Sequence, residues 1–372
     1  MEVYGRDLMA LMDAWAPQSL AESWDHPGLQ AGNPDKSVRK VMAALDVTKE
    51  NAAYAAAHHV DMIISHHPFL FKGLKTVDLR TEKGQILAEL LCHGILAFAA
   101  HTNLDTAEGG VNDRLAAAIG LTGCEGLVPV KEEALEKIVV YVPASHSAAV
   151  RQSMEEAGAG IIGAYRGCSF SAAGIGRFTP ERGAHPFLGK AGTEEAAEEE
   201  RIETCCYAGE TERILAAVRR VHPYEEPVCD VYPLARGGRW DRMGRTGYLE
   251  KEMDPWEAAQ YIKEKLGLPV IKLAGPTDHP VRKVAVLGGA GIEFAALAKK
   301  AGADLYLTGD VKYHEAQDAA AMGLLVMDGG HFYTERVIIP EIARRIREKA
   351  EAAQWDLEVI EDPAASDIFM YR

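Results

Sequence analysis

The sequence has no long uninterrupted run of apolar residues. Its longest apolar stretches, such as residues 94–100 (GILAFAA), fall far short of the roughly 20 residues that cross a bilayer. Residues 1–17 carry acidic side chains and an amphipathic repeat, whereas an export signal has a basic start and an apolar core. We therefore expect a soluble, cytoplasmic protein without an export signal or a membrane span.

Cysteines are few and basic residues are outnumbered. The chain has 6 cysteines, none of them in a Cys-x-x-Cys motif, a pattern typical of reduced thiols in the core of a cytosolic protein. The 40 lysines and arginines face 55 acidic residues, which gives a net charge of −15. Because an acidic surface repels phosphate backbones and anionic lipids, we do not expect general nucleic-acid binding or membrane binding.

The glycine motifs of common nucleotide-binding domains are also missing. Residues 287–294 (LGGAGIEF) depart from the Gly-x-Gly-x-x-Gly pattern, and no Gly-Lys-Ser/Thr loop occurs. Such loops cradle phosphate groups with backbone N–H groups. Their absence argues against a dinucleotide-binding domain and against a P-loop.

Two distant regions share one order of elements. They begin at Lys40 (KVMAALDVTKENAAYAAAHHVDMIISHH) and at Lys283 (KVAVLGGAGIEFAALAKKAGADLYLTGD), and a third apolar run follows from Gly94 and from Gly323. Apolar runs that alternate with helical patterns predict parallel strands with crossover helices. We predict an α/β fold with two similar lobes from an internal duplication. Chance similarity between α/β units is the alternative.

The pattern changes between the two lobes. From about residue 134 to 234, strand, helix and strand follow one another twice, with an acidic loop at residues 194–200. Two such units predict a small ferredoxin-like α+β domain that interrupts the duplicated pair. The glycine- and arginine-rich residues 235–247 would form the return linker. We assign residues 1–130 to the first lobe, 131–235 to the inserted domain and 236–372 to the second lobe.

Two adjacent histidines, His66 and His67, follow the apolar run of residues 60–65. Ligands collect at the carboxyl edge of an open α/β sheet because this edge is concave. Successive side chains on a strand diverge, so the two imidazoles favour two metal ions roughly 3.5–4 Å apart over one shared ion. For this motif alone, a hydrogen-bonded structural pair of histidines is the alternative.

Further donors follow the third strand of each lobe. His101 and Asp105 lie in HTNLD, while His331 and Glu335 lie four residues apart at the start of a predicted helix. Imidazole and carboxylate together suit zinc, manganese, iron, cobalt or nickel, and a bridging carboxylate holds two ions together. We predict two divalent metal ions per subunit, with five ligands: His66, His67, Asp105, His331 and Glu335.

Other polar residues have open roles. Asp310 and His314 (GDVKYHEA) either contact a metal ligand or the substrate, or form a helix cap with a surface histidine. Arg242 and Arg245 either neutralise a phosphate group or belong to a solvated linker. His101 is our candidate catalytic proton shuttle, and a hydrogen-bonded structural histidine is its alternative.

These motifs together resemble the Ngg-interacting-factor-three-like family, whose members are often called GTP cyclohydrolase I type two homologues. The matching stretches are SWDHPGLQAG, ALDVT, SHHP, HTNLD, GGAG, TGDVKYHEA and GGHFYTE, although His26 stands where the family usually has asparagine. The resemblance implies two α/β lobes with a dinuclear metal centre between them, held by the same five ligands, in a toroidal homohexamer. The insert resembles a PII/CutA-like domain, with residues 222–227 (HPYEEP) as its closest match.

The resemblance also implies a function, a GTP cyclohydrolase-like hydrolase that acts on a nucleotide. Two divalent ions lower the pKa of a water between them toward about 7, and the hydroxide would open the imidazole ring of a purine. A phosphoesterase that uses the same centre is one alternative. A non-enzymatic metal-binding assembly or regulatory protein is the other, and the residues alone do not choose the substrate.

Overall fold

The computed structural model describes residues 1–235 and 237–372. The chain divides into two compact units, Met1–Lys131 with Asp241–Arg372, and Glu132–Trp240. The second unit includes the region that we predicted as an inserted domain at residues 131–235, except for Lys131, and extends five residues further, to Trp240. In the part of the chain that the structure describes, no helix is both long and apolar enough to span a membrane.

Helices and strands alternate through most of the chain. The strands in chain order are β1 (Gly28–Ala31), β2 (Lys40–Ala44), β3 (Met62–Ser65), β4 (Leu96–Ala99), β5 (Thr122–Glu133), β6 (Leu135–Pro143), β7 (Ser169–Phe178), β8 (Glu195–Tyr207), β9 (Cys229–Pro233), β10 (Arg239–Met253), β11 (Lys272–Ala274), β12 (Val281–Ala290), β13 (Leu305–Gly309), β14 (Leu325–Asp328) and β15 (Glu358–Glu361). The α-helices are α1 (Gly5–Trp15), α2 (Lys49–Ala57), α3 (Glu82–Cys92), α4 (Thr102–Thr106), α5 (Val111–Ala118), α6 (Ser147–Glu156), α7 (Thr211–Val221), α8 (Pro255–Leu266), α9 (Ala295–Lys300), α10 (Tyr313–Ala321), α11 (His331–Glu335) and α12 (Ile339–Ala353).

The sheet of the first lobe has the order β1-β4-β3-β2-β15, so it includes β15 from the range 236–372 that we assigned to the second lobe. Its strands are parallel except for β1, which runs antiparallel to β4. Consecutive side chains of β2 point to opposite faces, as they must in a strand. Val41 therefore packs with α1 and α12, and Met42 packs with α2 and α3 on the other face. Burial on both faces explains why these strands are continuous apolar runs.

The sheet of the second lobe has the order β11-β14-β13-β12-β10-β5. Its strands β12, β13 and β14 are parallel and adjacent, in the same order as β2, β3 and β4 of the first lobe. This arrangement confirms the predicted α/β fold class.

The predicted return linker at residues 235–247 is wrong from Arg239 onward. These residues form the first part of β10, which pairs with β12 through Arg245↔Val286 and Gly247↔Val284. The buried Arg245 guanidinium contacts Asp113 Oδ1 and Oδ2 at 2.5 and 2.8 Å. Backbone pairing and this ion pair hold the segment in the sheet.

The second unit is an antiparallel sheet of order β7-β8-β6-β9. Helices α6 and α7 cover one face and bury an aliphatic cluster that includes Val140, Val150 and Ile214. The predicted acidic loop at residues 194–200 is wrong, because Glu195–Tyr207 is strand β8. This strand pairs with β6 on one side and β7 on the other. The two ladders satisfy the backbone hydrogen-bonding groups of β8 and offset the low strand propensity of its glutamates.

The cysteines differ in burial. All six are free, as expected, and Cys206 lies in the core of the second unit. Cys92 and Cys124 are exposed, so the prediction of core thiols is wrong for these two. Cys92 is the last residue of α3, where the helix end meets solvent.

Candidate metal centre

The five predicted metal ligands meet at the carboxyl ends of the parallel strands in the two sheets. His66 and His67 follow β3, Asp105 lies on α4 after β4, and His331 and Glu335 begin and end α11 after β14. All five belong to the first unit. The edges of the two lobes therefore bring together donors that are far apart in sequence.

His67, His331 and Glu335 form one group of donor atoms. Glu335 Oε2 lies 2.9 Å from His67 Nε2 and 3.0 Å from His331 Nε2, and the two Nε2 atoms are 3.3 Å apart. Donors that bind one ion tetrahedrally at 2.0–2.1 Å are roughly 3.4 Å from one another. The spacing of the three atoms thus fits a single divalent ion.

His66, Asp105 and Glu335 form a second group. His66 Nε2 lies 3.7 Å from Asp105 Oδ1 and 3.8 Å from Glu335 Oε1. Three buried atoms, His66 Nε2, Asp105 Oδ1 and Glu335 Oε2, have no hydrogen-bond partner among the described residues. Burial of such atoms costs free energy unless something compensates. A divalent cation in each group would satisfy them, and Glu335 belongs to both groups.

The opposite ring nitrogens of His66 and His67 are held by acceptors. His66 Nδ1–H donates to Ala100 O at 2.9 Å, and His67 Nδ1–H donates to Asp46 Oδ1 at 2.8 Å. A neutral imidazole that donates from Nδ1 has an acceptor lone pair on Nε2. Metal-ligating histidines are commonly oriented in this way by carboxylates and carbonyls. In the neutral form of each ring, the Nε2 lone pair is thus oriented to bind a cation.

Asp310 performs the same task for His331. The His331 Nδ1–H donates to Asp310 Oδ2 at 2.8 Å. Asp310 has φ +54, in the left-handed region that few residues other than glycine adopt, although Asp tolerates it better than most. His314, its neighbour in the motif, is exposed and contacts Gln317 on α10. Of these two candidates, the structure places only Asp310 against a predicted ligand.

His101 forms a third group of donor atoms with His66 and His67, and it also has its own carboxylate. Its Nδ1–H donates to Asp25 Oδ1 at 2.9 Å, and its ring centroid is 5.3 Å from that of His66. Burial favours the neutral form of Asp25, but hydrogen bonds from His101 and Thr102 outweigh burial and lower the Asp25 pKa to about 2. Asp25 is therefore a carboxylate that can orient His101 and stabilise its cationic form.

Asp25 and Asp46 were not among the predicted site residues. Both stand in quoted motifs, SWDHPGLQAG and ALDVT, and Asp46 follows a buried strand. For Asp46, its position just after a buried strand was the sequence feature that indicated a site residue. It does not show which imidazole the carboxylate reaches, because that depends on the packing of neighbouring strands.

Burial and neighbouring charges shift the pKa values of the site residues strongly. Burial opposes charge on His67, but the hydrogen bond to Asp46 and the close carboxylate of Glu335 outweigh it and raise the His67 pKa to about 10. In the same way, Glu335 and Asp310 overcome burial and raise the His331 pKa to about 9. Burial and the neighbouring Glu335 raise the Asp105 pKa to about 7. The pKa of Glu335 lies well below its usual value, because its imidazole neighbours outweigh burial.

Gly289 leaves room for the bridging carboxylate. A Cβ at this position would collide with Glu335 Oε1 and would lie 3.2 Å from His331 Nε2. Its φ of +65 is also in the region that favours glycine. Any other side chain here would displace the Glu335 carboxylate.

A cleft of about 1060 Å³ opens beside the donors, and His67 and His331 form part of its wall. Residues 366–371 of the carboxyl terminus line the cleft as well. Trp24 and Phe71 lie near His101, with ring centroids 6.1 and 6.3 Å from its ring. Both rings are exposed, by 55% and 39%.

The sequence matches the Duf34/NIF3 (NGG1p interacting factor 3) family over residues 3–367. It is 39% identical over 367 residues to a GTP cyclohydrolase 1 type 2 homolog of Halalkalibacterium halodurans, covering 99% of this chain and 98% of that one. A Bacillus subtilis protein of the same name is 38% identical over 369 residues, with 99% of each chain covered. The solved structure of a Bacillus cereus protein related to NIF3 has a TM-score of 0.92 and 39% identity, covering 100% of this chain and 99% of that one.

Proposed function

Since this chain belongs to the Duf34/NIF3 (NGG1p interacting factor 3) family, we propose that it is a hydrolase that depends on two divalent ions. The observation that carries the proposal is the shared position of Glu335, which faces His67 and His331 with one oxygen and His66 with the other. A carboxylate between two sets of donors is the usual bridge in a two-ion centre. The donor set suits zinc, manganese, iron, cobalt or nickel.

The chemistry assigns separate tasks to the chain's own residues. When bound, the ions would supply a water whose pKa is lowered toward about 7, and so a hydroxide nucleophile at neutral pH. His101 would move the protons. Its Nδ1–H is held by Asp25, so its Nε2 accepts a proton and returns it to the leaving group, while ionised Asp25 stabilises the imidazolium.

The proposed substrate is a nucleotide, as the name of the relatives suggests. Trp24 and Phe71 support a planar heteroaromatic group, because both rings are exposed and flank His101. Stacking on such rings contributes about 1–3 kcal/mol per base. Arg245 has no part in phosphate binding in this proposal, since its guanidinium is bound to Asp113.

We further propose a cytoplasmic homohexamer in the form of a toroid. Free cysteines agree with a reducing compartment. The edge strand β7 exposes Phe170 and Ile175, and exposed apolar side chains on an edge strand favour pairing with another chain. Native mass spectrometry should find a particle of six times the 40.4-kDa chain mass.

Turnover of GTP tests the hydrolase. The wild-type protein is loaded with each candidate metal, and opening of the purine ring and release of phosphate are followed in the same sample. We expect ring opening without phosphate release, and His101→Gln should lower kcat by about 100-fold or more without loss of metal. The control is His314→Gln, which changes an exposed histidine outside the centre.

The other outcomes separate the alternatives. Release of phosphate from an intact purine would identify a phosphoesterase. Full metal loading with no turnover in either assay would contradict the hydrolase and favour a regulatory or assembly protein. Equal activity of His101→Gln and wild type would remove His101 from the mechanism and leave the metal centre in place.

A further inference from the structure

The second unit contains a cavity of its own, about 590 Å³ in volume. It lies beside β7 and the segment that follows α7, the HPYEEP stretch at residues 222–227. Its wall combines aromatic rings with carboxylates. The aromatic residues are Tyr141, Phe178, Phe187 and Tyr224, and the acidic residues are Glu199, Glu225, Glu226 and Asp230.

Tyr224 is the centre of the aromatic wall. Its ring centroid lies 5.8 Å from that of Phe178 and 6.3 Å from that of Phe187. The rings are inclined to one another by 60° and 48°, so they form a concave surface and not a closed stack. The Phe187 ring is 48% exposed, so part of it is accessible to a ligand.

His222, the first residue of HPYEEP, fixes this wall. Its Nε2–H donates to Tyr141 O at 2.9 Å, and its Nδ1 accepts from the Tyr224 backbone N–H at 3.1 Å. Burial lowers the His222 pKa, so the ring is neutral and both nitrogens are satisfied. The histidine therefore has a structural role and positions Tyr224.

Glu199 and Glu225, two of the four carboxylates of the cavity, are held by hydrogen bonds. Tyr224 Oη–H donates to Glu199 Oε1 at 2.8 Å, and the His185 N–H donates to Glu225 Oε1 at 3.0 Å. Gly176 makes room for the first of these, because a Cβ there would collide with Glu199 Oε2. Of the ionisable residues that line the cavity, four are acidic and Arg177 is the basic one.

We propose that this cavity binds a small organic cation, a molecule that carries an alkylated ammonium or a guanidinium group. Aromatic faces attract such cations through their quadrupoles. The fixed carboxylates supply the counter-charge. The cavity lies within the volume range of small-molecule sites. Among the described residues, the convergent donor groups that suit a metal ion all lie in the first unit.

Isothermal titration of the full chain tests the proposal. The probes are tetramethylammonium, choline and guanidinium chlorides, and 3,3-dimethylbutan-1-ol serves as the neutral isostere of choline. Sodium chloride keeps the ionic strength constant. We expect saturable binding of at least one cation, and about tenfold weaker binding of the alcohol than of choline.

Substitutions in the cavity wall test whether the cation binds there. Glu199→Gln removes one charge and keeps an acceptor for Tyr224, and it should weaken the affinity for the bound cation about tenfold. Glu198→Gln is the matched control on the next residue of β8, which is exposed and outside the cavity wall. Phe187→Ala changes an exposed ring, so it tests the aromatic wall without disturbance of the core.

Three results would overturn the proposal. They are no saturable binding of any of the cations, binding of the alcohol as tight as that of choline, and equal effects of Glu198→Gln and Glu199→Gln. If Glu199→Gln fails to fold, Phe187→Ala alone decides, and an unchanged affinity in that variant contradicts the aromatic site.

Discussion

The Nε2 atoms of His67 and His331 face each other at 3.3 Å across the junction of the two lobes. At most one of them can donate a hydrogen bond to the other, and both lie within 3.0 Å of the same oxygen of Glu335. Two nitrogens and an anionic oxygen that converge in this way share either protons or a metal ion. Metal content and proton release distinguish these two states.

Removal of the bridging charge should empty both ion positions. Glu335→Gln keeps the shape of the side chain but loses the anion that faces both donor groups. Metal content by mass spectrometry of untagged protein should fall from about two ions per chain to less than one. Glu351→Gln, an exposed change on α12, should leave the content unchanged. Equal content in the two variants would contradict a bridging role.

Metal binding should release protons, and its affinity should rise with pH. The pKa values of His67 and His331 are raised to about 10 and 9, so below these values the imidazoles carry protons that a metal ion must replace. Each proton released raises the apparent affinity about tenfold per pH unit. Without an ion, the same raised values stabilise the fold at low pH, and this stability is lost as the pH rises toward 9–10.

Calorimetry of metal binding in two buffers with different ionisation enthalpies measures the number of protons released. At pH 7 we expect at least one proton per chain. A heat of binding that is identical in both buffers would show that the imidazoles are already neutral.

The carboxylates that accept hydrogen bonds from His67 and His331 should increase the affinity for the metal ions. Asp46→Asn and Asp310→Asn remove the charge that orients His67 and His331, and each should weaken metal binding by about 10–100-fold. Asn adopts the left-handed backbone region readily, so Asp310→Asn should not strain the chain. Asp278→Asn, at an exposed position, serves as the control. Competition with a chelator of known affinity measures the change.

Two glycines with positive φ allow steric and conformational effects to be separated. Gly289→Ala would place a Cβ against the Glu335 carboxylate, whereas Gly302→Ala, at φ +78, would meet no atom within 4 Å. Both changes should lower the thermal stability, because alanine disfavours this backbone region. Only Gly289→Ala should abolish metal binding. A similar metal content in both variants would count against a carboxylate held in place by the glycine.

The sequence was sufficient to predict the lobes and to nominate their donors, because both depend on local patterns. Short apolar runs define β3 and β14, and the four-residue spacing of His331 and Glu335 places both on one turn of α11. The equivalent pair, His101 and Asp105, occupies the N-cap and the fourth residue of α4. A repeat makes such correspondences visible in a single sequence.

Features that depend on distant partners could not be predicted. The glutamates at the start of β8 have the composition of a solvated loop, and only pairing with β7, joined by β6 from Glu199 onward, makes them a strand. Arg245 stood in an apparent linker, although its partner Asp113 lies on α5. Likewise, no local signal indicates which carboxylate reaches which imidazole.

Strand β15 (Glu358–Glu361) pairs with β2, at the opposite end of the chain. The other strands of that sheet end by Ala99, so they leave the ribosome long before their last neighbour is made. Domains generally fold from the amino terminus during synthesis. In this lobe, however, the backbone edge of β2 stays unpaired until β15 is made. A chain that stalls before Glu358 would therefore expose the unpaired edge of β2, which favours aggregation, until β15 is added.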